Sequence, residues 1–346
     1  MTNLILLFLA IVLFIGGVSY ERMFSSKNVP AKLIQKVTLI KPTVPMSSSS
    51  LAIETMRQKS YPGSTITFEQ TLTPHANYTS YLVSYRSDGL KIYGLLTVPI
   101  GKKTTGGWPV ILFNHGYIPP AAYTTDTSYS VMVDALASAG YIVFKPDYRG
   151  NGNSEGIPTQ PYVTPDYVTD SMNALSAIKH YKNTNPHKIG VFGHSMGGNI
   201  TLHELVLTHD LKAAELIAGV VGNATDLVQW WNHRIATNSI VGNDIQTLDI
   251  IEQMVKDHGM PASDPTYWKT IDPTQFLNFV NVPVQIQVGT ADNQVPISFS
   301  TSLRDSLRHA GKIVDYHEYS GADHNLVPDT ASVMTTTIAF FNTYLK

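Results

Sequence analysis

Apolar positions along the chain change their spacing several times, and each change predicts a different kind of element. Residues 1–20 carry no charged side chain, and residues 4–15 are continuously apolar. A helix buried in a soluble domain would show a polar face, so this run predicts either a membrane anchor or a cleaved signal peptide. Gly17, Val18 and Ser19 fit a cleavage site. Arg22, Lys27, Lys32, Lys36 and Lys41 would hold the following side of a retained anchor in the cytoplasm. Both readings place the protein at or beyond a membrane without fixing the face. Residues 21–60 show no sustained period, are interrupted by Pro30, Pro42 and Pro45 and by serines at 47–50, and read as a linker or loosely docked arm.

From residue 61 the pattern becomes that of short strands. Residues 65–68, 79–85 and 91–99 alternate or run apolar, and Ser87-Asp88-Gly89 between the last two is a hairpin signal. Apolar strands then alternate with amphipathic helices. Strands are expected at 110–113, 141–144, 189–192, 216–221, 284–288 and 314–319, and helices near 129–139, near 166–181, from 198 and at the C-terminus. Such alternation predicts an α/β domain over residues 61–346, with a mostly parallel sheet flanked by helices and an antiparallel hairpin region at its start. Residues 224–281 interrupt it with a helical, aromatic stretch that predicts a lid, and Trp230 and Trp231 there are candidates for lining a substrate pocket.

Composition narrows the chemistry. The 24 basic and 26 acidic residues leave a net charge of −2, which gives no footing for nucleic-acid binding. With no cysteine, disulfides, thiolate metal sites and a cysteine nucleophile are excluded, so a nucleophile must be oxygen or nitrogen. No His or carboxylate cluster has metal-ligand spacing, no glycine-rich phosphate loop follows the first parallel strand, and no cofactor is implied.

Within this frame Gly193-His194-Ser195-Met196-Gly197 follows the strand at 189–192 and reads as a nucleophile elbow. A serine hydroxyl is a poor nucleophile unless a strained turn exposes it beside a base. The glycines let neighbouring backbone approach that turn. A base and an orienting acid follow strands later in the chain. Asp292 lies in Gly289-Thr290-Ala291-Asp292, and His324 in Gly321-Ala322-Asp323-His324. The order Ser195, Asp292, His324 suits acyl transfer, with His324 as general base and Asp292 holding its tautomer. The oxyanion would need backbone donors, for which Met196 and Tyr117 are the candidates, the latter in the turn Asn114-His115-Gly116-Tyr117. His115 and His194 are expected to be structural. Asp323 is a weaker candidate than Asp292 for the orienting acid because adjacent side chains rarely meet, and His317 lies within a strand. Asp147 and Arg149 are expected to form a local ion pair, although Arg149 could face a substrate. Asn77, Asn199 and Asn223 match the glycosylation pattern.

These ordered motifs, with Tyr85-Arg86-Ser87-Asp88-Gly89 and the run from Asp147 to Ser154, resemble the α/β-hydrolases over residues 85–346. More narrowly they resemble the prolyl-oligopeptidase (S9) and dienelactone-hydrolase-like branch. The resemblance implies the catalytic roles of Ser195, Asp292 and His324 and the oxyanion role of Tyr117 and Met196. Large oligopeptidases place a propeller before the hydrolase domain, and about forty residues here allow one blade at most. The expected activity is therefore a carboxylesterase acting on a small-molecule or peptidic acyl substrate. An S9-like aminopeptidase is the alternative within the same chemistry, and a catalytically silent binding protein on a hydrolase fold is the alternative from another class.

Overall fold

A computed structural model of the chain describes residues 50–103, 106–237, 239 and 244–346. Residues 1–20 and most of the linker lie outside them. Among the described residues no helix is long and apolar enough to cross a membrane. The linker expectation fails at its end: residues Ile53–Gln58 form a short helix, α1, with Ile53 and Met56 buried. Six residues are too few to be helical by propensity alone, so tertiary burial holds α1 in place.

Among the described residues nine strands form one sheet: β1 (Thr67–Thr71), β2 (Tyr78–Ser87), β3 (Leu90–Pro99), β4 (Trp108–Asn114), β5 (Ile142–Pro146), β6 (Thr184–His194), β7 (Ala213–Ile217), β8 (Val284–Gly289) and β9 (Val314–Tyr319). Their spatial order is β1-β2-β3-β5-β4-β6-β7-β8-β9. The first three strands and β5 pair antiparallel, and β5 through β9 run parallel. The helices between them are α2 (Ser130–Ser138), α3 (Asp166–Lys179), α4 (Met196–Leu207), α5 (Ala224–Ala236), α6 (Asp244–His258), α7 (Pro265–Ile271), α8 (Ile297–His309) and α9 (Thr330–Leu345). A 3-10 turn at Pro273–Phe279 follows α7 and completes a strand-free segment where the lid is expected.

The central strands are buried on both faces, which is why they read as unbroken apolar runs. Alternate residues of β4 serve opposite layers. Val110 and Leu112 join a core with Leu175 and Ile178 of α3, Leu202 and Val206 of α4, and Leu303 and Leu307 of α8. Ile111 and Phe113 join a second core with Val133 and Leu136 of α2 and Phe341 and Leu345 of α9. Each such side chain contributes roughly 1.5–3 kcal/mol on burial before its ordering entropy is subtracted. Strand β7 ends at Ile217 rather than continuing to 221, because Ala218 turns the chain with φ 46°.

Arg149 does not pair with Asp147. Its guanidinium reaches Asp170 on α3 at 2.7 Å, Asp166 at 3.0 Å and Asp88 of the β2–β3 hairpin at 3.3 Å. Asp147 instead accepts from Tyr123 at 2.6 Å and from Thr125. The expectation of a local pair failed because the fully buried Asp170 is twenty-one residues away in sequence and one hydrogen bond away in space. Arg149 thus ties the loop after β5 to α3 and to the hairpin. Replacing it strands a buried carboxylate, so Arg149→Met is expected to lower unfolding free energy by about 3–5 kcal/mol in urea titration. A loss below about 1 kcal/mol would show that the cluster does not hold the loop.

Candidate active site

Residues at the carboxyl ends of β4, β6, β8 and β9 converge on one edge of the sheet. The tightest turn is at Ser195, where β6 gives way to α4 with φ 55° and ψ −121°, a conformation that L-residues avoid. Three main-chain hydrogen bonds hold it. The Ser195 amide donates to Ile217 at 3.0 Å, and its carbonyl accepts from Gly198 at 2.9 Å and from Val220 at 3.0 Å. Close approach explains the glycines: a Cβ at Gly197 would overlap the carbonyl of Asn114, and one at Gly193 would overlap Thr201 and the Gly197 carbonyl.

The structure brings the three expected side chains into line. His324 Nε2 lies 2.9 Å from Ser195 Oγ, and His324 Nδ1 lies 2.8 Å from Asp292 Oδ2. The other Asp292 oxygen accepts from the amides of Gln294 at 2.8 Å and Val295 at 2.9 Å. A carboxylate can only accept here, so Nδ1 carries the ring proton and Nε2 is left as the acceptor facing Ser195. Burial pushes the Asp292 carboxyl upward, but the hydrogen bond and charge of His324 and the two amides outweigh it and hold it below its ordinary value. Because the folded pKa is depressed, Asp292 adds stability that is present above its unfolded value and is lost as pH falls through the folded one.

The flanking candidates take other places. Asp323 accepts from the amides of Asn325 and Val327, both at 2.9 Å, and shapes its own loop. His317 pairs with Asp315 at 2.9 Å on β9. His115 is buried and stacked between Tyr123 and Tyr148, and burial together with the Lys145 charge pushes its pKa down to about 3. Tyr117 packs against the cluster that contains Met196, Ile200 and Tyr148, so both expected oxyanion residues lie in one neighbourhood. The Met196 amide heads α4, where an N–H has no intrahelical acceptor. Asn199 is buried, with its Nδ2 donating to Val220, so the folded chain does not present it as a glycosylation acceptor.

The two tryptophans part company. Trp231 is buried on α5 and lines a cavity of about 40 Å3 with Trp268, Met254, Leu227, Asn199 and His203. Neither Ser195 nor His324 is among the residues lining that cavity. Trp230 does not line it; its indole donates to the Gln294 carbonyl at 3.0 Å, beside the Asp292 loop. Among the described residues no three His or carboxylate side chains are grouped to hold a metal ion.

Sequence reasoning missed Glu204. It is fully buried on α4, and its Oε2 accepts from Asn114 Nδ2 at 2.8 Å, while its Oε1 has no hydrogen-bond partner. Asn114 also donates to Thr201 at 3.0 Å and accepts from Ser171 at 2.6 Å, so this network props Asn114, at the head of the turn to Tyr117, against α4. The available signal was weak: one carboxylate beside Asn199, Thr201 and His203 in a helix buried from Met196 to Val206.

A family profile described as serine aminopeptidase, S33, matches residues 109–331. The chain is 26% identical over 256 residues to the uncharacterized peptidase YtmA of Bacillus subtilis, covering 74% of this chain and 90% of that protein. It is 26% identical over 247 residues to caffeoylshikimate esterase of Arabidopsis thaliana, covering 63% and 71% respectively. An acetyl xylan esterase from Paenibacillus sp. R4 superposes with a TM-score of 0.61 at 18% identity, over 86% of this chain and 92% of that one.

Two outcomes follow from this geometry. Asp292→Asn should slow phosphonylation by a fluorophosphonate roughly ten-thousandfold, because an amide can stabilise the wrong imidazole tautomer, whereas Asp323→Asn should leave that rate near wild type. The reverse result would move the orienting role to Asp323. Burial raises Glu204 to about 7, against the lowering effect of Ser171 and Asn114. A carboxyl with a raised folded pKa favours folding below its unfolded value and loses that contribution as pH climbs through about 7. Glu204→Gln should therefore raise the unfolding free energy relative to wild type at pH 8.5 by on the order of a few kcal/mol, with the gap closing by pH 5. A gap independent of pH would contradict it.

Proposed function

From the premise that this chain belongs to the serine aminopeptidase S33 family and is a serine hydrolase with the α/β-hydrolase fold, we propose that its substrates are carboxylic esters. The observation that carries the reading is the continuous line from Asp292 through His324 to Ser195, at 2.8 and 2.9 Å. Ser195 Oγ attacks the carbonyl carbon as its proton passes to His324 Nε2, and Asp292 stabilises the imidazolium that forms. Amides of Met196 and Tyr117 receive the developing oxyanion, each well-aimed donor being worth roughly 3–4 kcal/mol. Collapse breaks the carbon–oxygen bond to the alcohol, which leaves with the proton held by His324. Water then attacks the acyl-serine through the same histidine, and the carboxylic acid departs with Ser195 restored.

Preference for esters is supported by how the nearby carboxylates are used. A free α-ammonium group needs a carboxylate partner, and Asp292 and Asp323 are both occupied by imidazole or main-chain donors. Similarity to a plant esterase over most of its length agrees. The aminopeptidase profile and the relationship to YtmA favour a second reading, hydrolysis of short peptides by the same three residues. Membrane delivery by residues 1–20 belongs to the proposal as well, on the strength of their uncharged, apolar sequence.

Purified protein should hydrolyse p-nitrophenyl acetate and butyrate with kcat/KM exceeding that for alanine p-nitroanilide by about a hundredfold or more, roughly 2.7 kcal/mol in barrier. Equal or greater turnover of the anilide would replace the esterase reading with the peptidase one.

A further inference from the structure

The residue before Ser195, expected to be structural, sits in a chain of hydrogen bonds that joins the two halves of the site. His194 Nε2 lies 3.1 Å from the main-chain carbonyl of His324. Its Nδ1 lies 2.7 Å from the hydroxyl of Tyr129, and that hydroxyl accepts the amide of Gly116 at 2.8 Å. A carbonyl can only accept, so His194 Nε2 carries a hydrogen. Burial holds the ring neutral, so Nδ1 accepts from the Tyr129 O–H while the phenol oxygen accepts the Gly116 N–H.

We infer that Tyr129 and His194 are positioning residues that lock the oxyanion turn to the catalytic-histidine loop, so that amide donor, nucleophile and base keep one mutual geometry. This rests on the acyl-transfer reading of the same site. With Gly116 N–H committed to Tyr129, the turn offers its next amide, that of Tyr117, to the oxyanion. With the His324 carbonyl held by His194, the loop carrying the base cannot drift from Ser195 without breaking a buried hydrogen bond.

Several independent features support the lock. Tyr129 adopts φ 66°, an unfavourable conformation for a bulky aromatic residue, at the start of α2. Its ring packs edge-on to Phe113, the core residue just before the turn, at 5.6 Å between centroids. Any Cβ at residue 116 would crowd the Tyr129 hydroxyl, Ser195 Cβ and His194 Nδ1 together, so glycine lets the three approach. The His194 and His324 rings lie 5.0 Å apart. Burial, and after it the His324 charge, hold His194 down to about 3, which keeps a second cation away from the imidazolium formed in catalysis.

The test separates positioning from mere stability. Wild type and the variants Tyr129→Phe, His194→Phe, His194→Gln and the double phenylalanine variant are compared in three measurements. These are the rate of phosphonylation of Ser195 by a fluorophosphonate, kcat and KM for p-nitrophenyl acetate, and Tm. Tyr129→Phe keeps the ring and loses only the hydroxyl; kcat and phosphonylation rate should fall together by about tenfold to a hundredfold, the effect of a small displacement at a reacting centre, while KM stays within about twofold. The double variant should be no slower than the slower single variant, because either substitution already breaks the chain. His194→Gln, whose amide can still reach the His324 carbonyl, should retain more activity than His194→Phe, and it carries the test if Tyr129→Phe does not fold. Wild-type phosphonylation and kcat in Tyr129→Phe, or losses that multiply in the double variant, would overturn the relay. Failure of wild type to label would overturn the acyl-transfer reading itself, and the relay with it.

Discussion

Ser195 is held in a conformation that an L-residue does not choose, and the rest of the site is arranged around keeping it there. A left-handed, non-glycine residue costs on the order of 1–3 kcal/mol. Three hydrogen bonds, to Ile217, Gly198 and Val220, each add about 1 kcal/mol and offset that cost. They come from β7, from α4 and from the loop after β7, so the elbow exists only when the parallel sheet is assembled. Gly193 and Gly197 then serve packing, by letting the start of α4 seat itself against the end of β4.

Electrostatics divide the buried groups by task. His115, His194 and His203 are driven toward the neutral form chiefly by burial, as befits rings that stack and relay hydrogen bonds. Asp292 is the exception among the buried acids at this edge. It is supplied with enough donors to be held below its ordinary value, where burial raises Glu204, with one oxygen unpartnered. In the proposed mechanism, a carboxylate held low behind His324 and His115, His194 and His203 driven toward neutrality confine the positive charge to one ring.

The parallel core strands were legible because burial on both faces leaves unbroken apolar runs, and the triad because each member follows such a strand within a few residues. What escaped the sequence required knowing which distant elements meet. Arg149 finds Asp170 rather than Asp147 because α3 crosses the loop after β5. The segment at Ile53–Gln58 is helical because Ile53 and Met56 are buried, a fact invisible in a proline- and serine-rich neighbourhood. Tyr129 and Glu204 carry no motif. Their importance lies in contacts with Gly116 and Asn114, the turn whose His-Gly sequence was readable while its supports were not. The tryptophan pair illustrates the limit of composition: adjacent on α5, one residue joins a core with Met254 and Trp268 and the other braces the Asp292 loop.

The central claim is that Ser195 becomes acylated. Rapid acid quench of the protein during turnover of p-nitrophenyl acetate, followed by peptide mass mapping, reads it directly. A stoichiometric acetyl group on the peptide carrying Ser195, appearing with a burst of one p-nitrophenolate per chain and absent from Ser195→Ala, is the result the geometry requires. Turnover at full rate with Ser195 unmodified, or an adduct on another residue that persists in Ser195→Ala, would contradict it.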